Sequence, residues 1–225
     1  MSDWSAQIDR QQARYRDGEQ RLANVPDADT RQRQLTRMGN AAYGAALSLL
    51  MAGRSGEAAE WFARAAERYR ESYEDAPPGS WGRPIGALKA RILAGDWDGA
   101  AREARWALEL GAEETDSPIG RYAAALAHLT LGADEEARVH ADAIRTRPED
   151  DFPTDVGDAL AMIAAGTDAI GYVEAIESVL ESFETREEYL EDVAVADTVV
   201  VLRALAERRG LHAELASPLL PPSTV

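Results

Sequence analysis

The 225-residue chain is 45% apolar and carries 40 acidic residues against 24 lysines and arginines, with three histidines and no cysteine. This supports a sizeable core and excludes disulfides, thiolate metal sites, iron–sulfur clusters and cysteine nucleophiles. The net charge of −16 disfavours non-specific nucleic-acid binding, because phosphates require cations.

Lys89 is the one lysine in the sequence. An acid excess with so little lysine resembles proteins of salt-accumulating halophiles; the alternative is an ordinary acidic protein from a GC-rich genome, which also favours Arg over Lys. Surface carboxylates hold water and hydrated cations, and the Debye length falls to about 3 Å at 1 M salt, screening self-repulsion. The polar start, Met1-Ser2-Asp3-Trp4, lacks a signal-peptide pattern, and no apolar run approaches the ~18 residues of a membrane span. The expectation is a cytoplasmic protein that does not associate with membranes.

Strand signals are nearly absent, and aromatics are only 7% of the chain. Residues 3–23 predict a polar helix ending near Asn24-Val25-Pro26, and a second begins near Asp29 and runs through Leu35 and Met38. From there a repeat takes over. The segments 49–65, 92–108, 128–144 and 162–178 share an apolar helix, a glycine, four residues and a small residue. The glycines are Gly53, Gly95, Gly132 and Gly166, followed by Ala58, Ala100, Ala137 and Gly171. Glycine ends the first helix in the left-handed conformation, and the small residue lets the paired axes approach. Ala46, Ala125 and Ala159 repeat that logic before the glycine, where Leu88 breaks it. Ser55, Asp96, Asp134 and Thr167 are the N-cap candidates.

GDWDGAAREARWALEL (95–110) resembles the tetratricopeptide repeat family, with Gly95, Trp97, Ala100, Ala104 and Ala107 at that family's usual positions. The resemblance covers about residues 39–187. It implies an all-α fold in which antiparallel helix pairs stack as a TPR-like α-solenoid with a capping C-terminal helix. The Trp and Tyr positions of the first helices depart from the pattern, pointing to a divergent relative.

Ser117-Pro118 is a helix start, Pro77-Pro78-Gly79 and Pro148 to Pro153 are inter-repeat loops, and Glu149-Asp150-Asp151 reads as a solvated acidic loop. Residues 187–209 predict a closing helix with Leu190, Val193, Ala196, Val200 and Ala204 on one face, and the β-branched run 193–201 is read as helical. Leu219 and Leu220 suggest that the tail docks. The whole is expected to form a single domain over 1–225: N-terminal helices over 1–38, about four repeats over 39–187, and a cap with docked tail over 188–225.

The first helices, about 39–53, 81–95 and 118–132, contain no Asp or Glu, where the chain average of 40 in 225 predicts about eight in these 45 residues. The second helices carry the acids, among them Glu57, Glu60, Glu67, Glu71, Asp98, Glu103, Glu109, Glu135, Glu136 and Asp142. In helix-pair stacks the first helices line the concave wall. That wall would present Asn40, Tyr43, Arg83, Lys89, Arg91, Arg121, Tyr122 and His128 to an acidic peptide or anionic small molecule. The alternative is that these helices are sandwiched and their cations pair with neighbouring acids.

No phosphate-binding loop, dinucleotide fingerprint, HExxH helix or Gly-x-Ser-x-Gly elbow occurs. Asp96-Trp97-Asp98-Gly99 lacks the later ligands of a calcium loop and is better read as the inter-helix turn. His128 and His140 lie on paired helices, but no sequence spacing supplies a third metal ligand. No catalytic residue, cofactor or metal is therefore expected. Trp61, Trp97 and Trp106 fall at repeat-packing positions.

The leading expectation is a non-enzymatic scaffold or adaptor, monomeric or homodimeric, that binds a protein or peptide partner. The ending RRGLHAELASPLLPP (208–222) resembles one group of polymorphic-toxin immunity proteins, which implies a toxin partner instead. The third possibility is an enzyme or binder acting on an anionic small molecule in the inner groove.

Overall fold

The structure, a computed structural model, describes residues 3–146 and 152–222. Among these residues the chain is all-helical and has no strand. Ten helices follow in order: α1 (Trp4–Leu22), α2 (Ala28–Met51), α3 (Ser55–Tyr73), α4 (Gly82–Leu93), α5 (Trp97–Glu109), α6 (Pro118–Leu131), α7 (Asp134–Arg145), α8 (Thr154–Ala165), α9 (Ala169–Glu184) and α10 (Asp197–Glu207). None is long and apolar enough to cross a membrane.

The chain divides into two compact units. The first holds the described residues of Met1–Asp96, Glu187–Val195 and Pro218–Val225, and the second holds those of Trp97–Arg186 and Ala196–Ser217. Within each, helices pack on their neighbours in sequence order. In the first unit α1 lies on α2, α2 on α3 and α3 on α4. In the second, α5 through α9 pack successively and α10 closes against α8 and α9. This is the all-α helical-repeat arrangement with a C-terminal cap.

The repeat glycines do the work expected of them. Gly53, Gly95, Gly132 and Gly166 have φ of 73°, 70°, 78° and 66°. In the first three copies the helix end is a Schellman motif. Arg54 N–H donates to Leu49 O and Gly53 N–H to Leu50 O, at 2.9 and 3.0 Å. The pairs Asp96–Arg91 with Gly95–Ile92, and Ala133–His128 with Gly132–Leu129, repeat this geometry. The fourth copy has the simpler left-handed cap, one bond from Gly166 N–H to Met162 O at 3.1 Å.

Ala58, Ala100 and Ala137 are 1%, 0% and 0% exposed, so in the first three copies the small residue after the glycine sits at the helix contact, whereas Gly171 of the fourth is only half-buried. Asp3 and Asp27 cap α1 and α2, accepting from Ala6 N at 3.1 Å and Thr30 N at 2.6 Å. Asp96 stands directly before α5 as expected, but the other three second helices differ from expectation. Ser55 and Asp134 are already the first helical residues, and α9 is capped by Asp168, not Thr167, through Gly171 N at 2.9 Å.

The predicted closing helix over 187–209 is not continuous. A 3₁₀ turn at Leu190–Asp192 and an extended segment precede α10. Glu191 and Asp192 have φ of 57° and 59°, which no helix accommodates. The surrounding side chains hold this conformation. Gln7 Nε2 donates to Glu191 O at 3.3 Å and Gln11 Nε2 to the same oxygen at 2.8 Å. Arg10 pairs with Asp192 at 2.8 Å, and Arg14 pairs with Glu191. The expected face changes as a result. Val193 and Ala196 are buried as expected, but Leu190 is exposed and Val200 and Ala204 are half-buried, while Val199, Leu202 and Leu205 fill the contact. In the tail Leu220 is buried, as a docked segment requires. The predicted loop from Pro148, with Glu149-Asp150-Asp151, lies outside the described residues up to residue 151.

Candidate functional site

Burial explains why α2, α4 and α6 carry so few acids within the repeat. Every residue from Ala41 to Leu49, and from Tyr122 to Thr130, is buried. A carboxylate there would be desolvated without compensation. The second helices keep their acids in water, with the exception of Glu103, which is buried at 5% exposure.

The eight residues assigned to an inner wall divide between the units. Asn40, Tyr43, Arg83, Lys89 and Arg91 belong to the first, and Arg121, Tyr122 and His128 to the second. Tyr43 is 2% exposed and packs edge-on against Phe62, centroids 5.4 Å apart, so it serves the core and does not line an open wall. Asn40 accepts a 2.9 Å hydrogen bond from Tyr69 Oη. Lys89 is buried on α4. Arg83 donates to Gln32 Oε1, and burial holds its pKa below the ordinary value. Arg91 pairs with Asp96 at 3.2 Å. These contacts fit the sandwiched-helix alternative: the side chains engage their own unit.

The second unit assembles a denser cluster. Arg121 and His128 stand two turns apart on α6, and His140 projects from the adjacent α7. The loop between α5 and α6 folds back over them and contributes Glu113 and Asp116. His128 Nε2 and Glu113 Oε1 are 2.9 Å apart. Arg121 Nη1 lies 3.2 Å from His140 Nδ1 and donates to Glu113 O at 3.0 Å, while its Nη2 reaches Asp116 Oδ1 at 3.4 Å. The two imidazoles stack in parallel, centroids 5.5 Å apart with 5° between planes. Tyr122 is separately engaged, its ring 5.4 Å from that of Phe152.

Electrostatics follow from this placement. The histidines are 6% and 5% exposed, whereas the Glu113 side chain is 44% exposed. Burial, then the positive charge of Arg121 and the neighbouring His128, hold the pKa of His140 below its ordinary value, opposed by Glu113 and Glu114. A guanidinium has only donors, so His140 Nδ1 accepts and the ring is neutral. One ligand atom from each of Glu113, His128 and His140 falls within a set 4.8 Å across. Imidazole, imidazole and carboxylate form a donor set suited to a transition dication.

The sequence brought Arg121 and His128 forward and weighed His140, but passed over Glu113. That residue sits 15 positions before His128, in a loop, at no helical period. Only the fold of the α5–α6 connection places it. No family model, curated protein or solved structure matches the chain.

Proposed function

We propose that this chain is a non-enzymatic helical-repeat adaptor that binds another protein through its second helices, the inner helices being consumed by packing. What supports this reading is the division of exposure. The first helices are buried nearly throughout their repeat segments, while α3, α7 and α9 hold acids in solvent. They also leave large apolar side chains uncovered, with Val139 on α7 64% exposed and Ile170 on α9 75% exposed. An apolar anchor ringed by charge is the usual composition of a recognition surface. The same acid excess supports a high-salt, cytoplasmic setting, in which apolar contacts strengthen and charge steering is screened.

The test is capture on the immobilised full chain in molar KCl, followed by cross-linking and hydrogen exchange. The expected result is a protein bound at fixed stoichiometry that protects α7 or α9 and is released by Val139→Asp or Ile170→Asp. Both positions are exposed, so the fold survives these changes. A chain that retains no protein saturably at any salt concentration, or whose partner ignores both variants, would overturn the reading.

A further inference from the structure

We propose that Glu113, His128 and His140 form a binding site for a first-row transition dication, with Zn²⁺ as the reference ligand. The donors come from three successive elements of the second unit: the α5–α6 loop, α6 and α7. Both imidazoles are buried, so the desolvation a metal would impose on them is already met by the fold. The chemistry of the set selects the ion. Two imidazoles and one carboxylate suit Zn²⁺, Co²⁺ or Ni²⁺, whereas Ca²⁺ and Mg²⁺ prefer oxygen ligands throughout. Three protein donors leave one position for water or an incoming donor group.

The geometry is open by a small margin. Donor atoms about 2.0–2.1 Å from a tetrahedral zinc stand about 3.3 Å apart. Glu113 and His128 are already at 2.9 Å, and the full set lies within 4.8 Å. Closure therefore needs about 1.5 Å of movement. The half-exposed loop carboxylate can supply part of it, and a turn of the His140 ring out of its parallel stack supplies the rest.

Arg121 determines what the closure displaces. Its guanidinium is the cation that now faces His140 Nδ1, at 3.2 Å. A metal on that nitrogen takes the place of Arg121, whose remaining contacts, Glu113 O and Asp116, can hold it aside. The site is thus an exchange of one cation for another. The metal ties the α5–α6 loop to the α6–α7 pair more directly than the guanidinium does.

The experiment uses the full, tag-free chain, stripped with chelator and held in molar KCl to suppress binding by surface carboxylates. Co²⁺ is titrated while its visible d–d bands are followed, and Zn²⁺ is then added in competition. The expected result is saturation at one equivalent, with Zn²⁺ displacing Co²⁺ and raising the thermal midpoint. Glu113→Gln weakens binding at least about tenfold, the scale found even for groups that only support a ligand. His140→Gln weakens it further. Arg121→Gln tightens it by about tenfold or more, because a guanidinium at near-contact distance repels the dication. The absence of a saturable one-equivalent phase overturns the site, as does unchanged affinity in either ligand variant, which would assign the ion to surface carboxylates. Should His140→Gln lose its helical circular dichroism, Glu113→Gln decides, since its side chain is half-exposed on the α5–α6 loop and the change keeps its size.

Discussion

The ring of Tyr69 occupies the space that a side chain on Gly86 would need. A Cβ at Gly86 would lie 2.7 Å from Tyr69 Cε2, and one at Gly39 would lie 2.9 Å from the opposite edge of the same ring. Tyr69 of α3 is thereby clamped between α2 and α4, with its hydroxyl anchored on Asn40. Alanine at Gly86 would gain about 1 kcal/mol of helix propensity, but overpacking costs about 1–3 kcal/mol. Gly86→Ala should therefore destabilise by about 1 kcal/mol in urea unfolding. Adding Tyr69→Leu should remove the penalty specific to the new methyl, as a double-mutant cycle would reveal.

Tyr172 offers the opposite case. Its side chain is fully buried, and its hydroxyl finds no hydrogen-bond partner among the described residues. Burial pushes its pKa up to about 12 from 10.0. Below pH 10 the phenol is neutral in both folded and unfolded chains and contributes no pH dependence. Between pH 10 and about 12 the unfolded chain ionises first, so stability falls as pH rises through this window. Tyr172→Phe removes both features. It should stabilise by about 1 kcal/mol at neutral pH, since an unsatisfied buried hydroxyl is lost. It should also flatten the alkaline limb of the stability profile, measured by chemical denaturation at successive pH values.

His140 sets a slope on the acid side. Its folded pKa is depressed, so above its ordinary value of 6.5 the ring is neutral in both states. As pH falls through that value the unfolded chain takes up a proton that the folded chain refuses, and stability falls. One such proton gives at most about 1.4 kcal/mol per pH unit. In chelator-treated protein, NMR should show His140 titrating below 6.5. An ordinary or raised midpoint would contradict the burial and the Arg121 contact.

Arg209 closes the second unit in a way no local pattern announces. Its Nε donates to Asp134 Oδ1 at 3.0 Å, Nη2 donates to Leu129 O at 2.7 Å and Nη1 to Leu205 O at 2.9 Å. The side chain is 12% exposed, so solvent replaces these bonds poorly. Arg209→Ala should cost about 2 kcal/mol, the scale of lost charge-assisted hydrogen bonds. Arg209→Lys should recover only part of this in urea unfolding, because an ammonium cannot span three acceptors in a fixed fork.

The contrast between these residues marks what was legible in the sequence. The helix ends at Gly53, Gly95 and Gly132 were readable because a left-handed cap is a local demand met almost only by glycine. The buried alanines were readable because they keep a fixed offset from those ends. The break at Glu191 was not. Its left-handed backbone is held by Gln7, Gln11 and Arg14, which lie at the far end of the chain. Apolar periodicity carries no information about such long-range partners. Glu113 was hidden for the same reason, whereas Arg121 and His128 share one helix face and could be paired by counting turns. The absence of acids from the first helices is plain in the sequence, but composition alone does not separate a lined groove from a packed interior.

The net charge of −16 makes the stability of the fold depend on salt. Ion pairs such as Arg10–Asp192 and Arg33–Asp29 are exposed and contribute little each. Salt weakens those pairs slightly, and it also screens the repulsion among the carboxylates that crowd the second helices. With 40 acids against 24 bases the repulsive sum dominates. Screening is nearly complete at 1 M, where the Debye length is about 3 Å. The unfolding midpoint should therefore rise substantially from low salt to molar KCl. Equal molarities of NaCl and KCl should act alike if screening is the cause. A midpoint that does not move with salt would show that the acids are already neutralised within the fold, and the high-salt setting would lose its support.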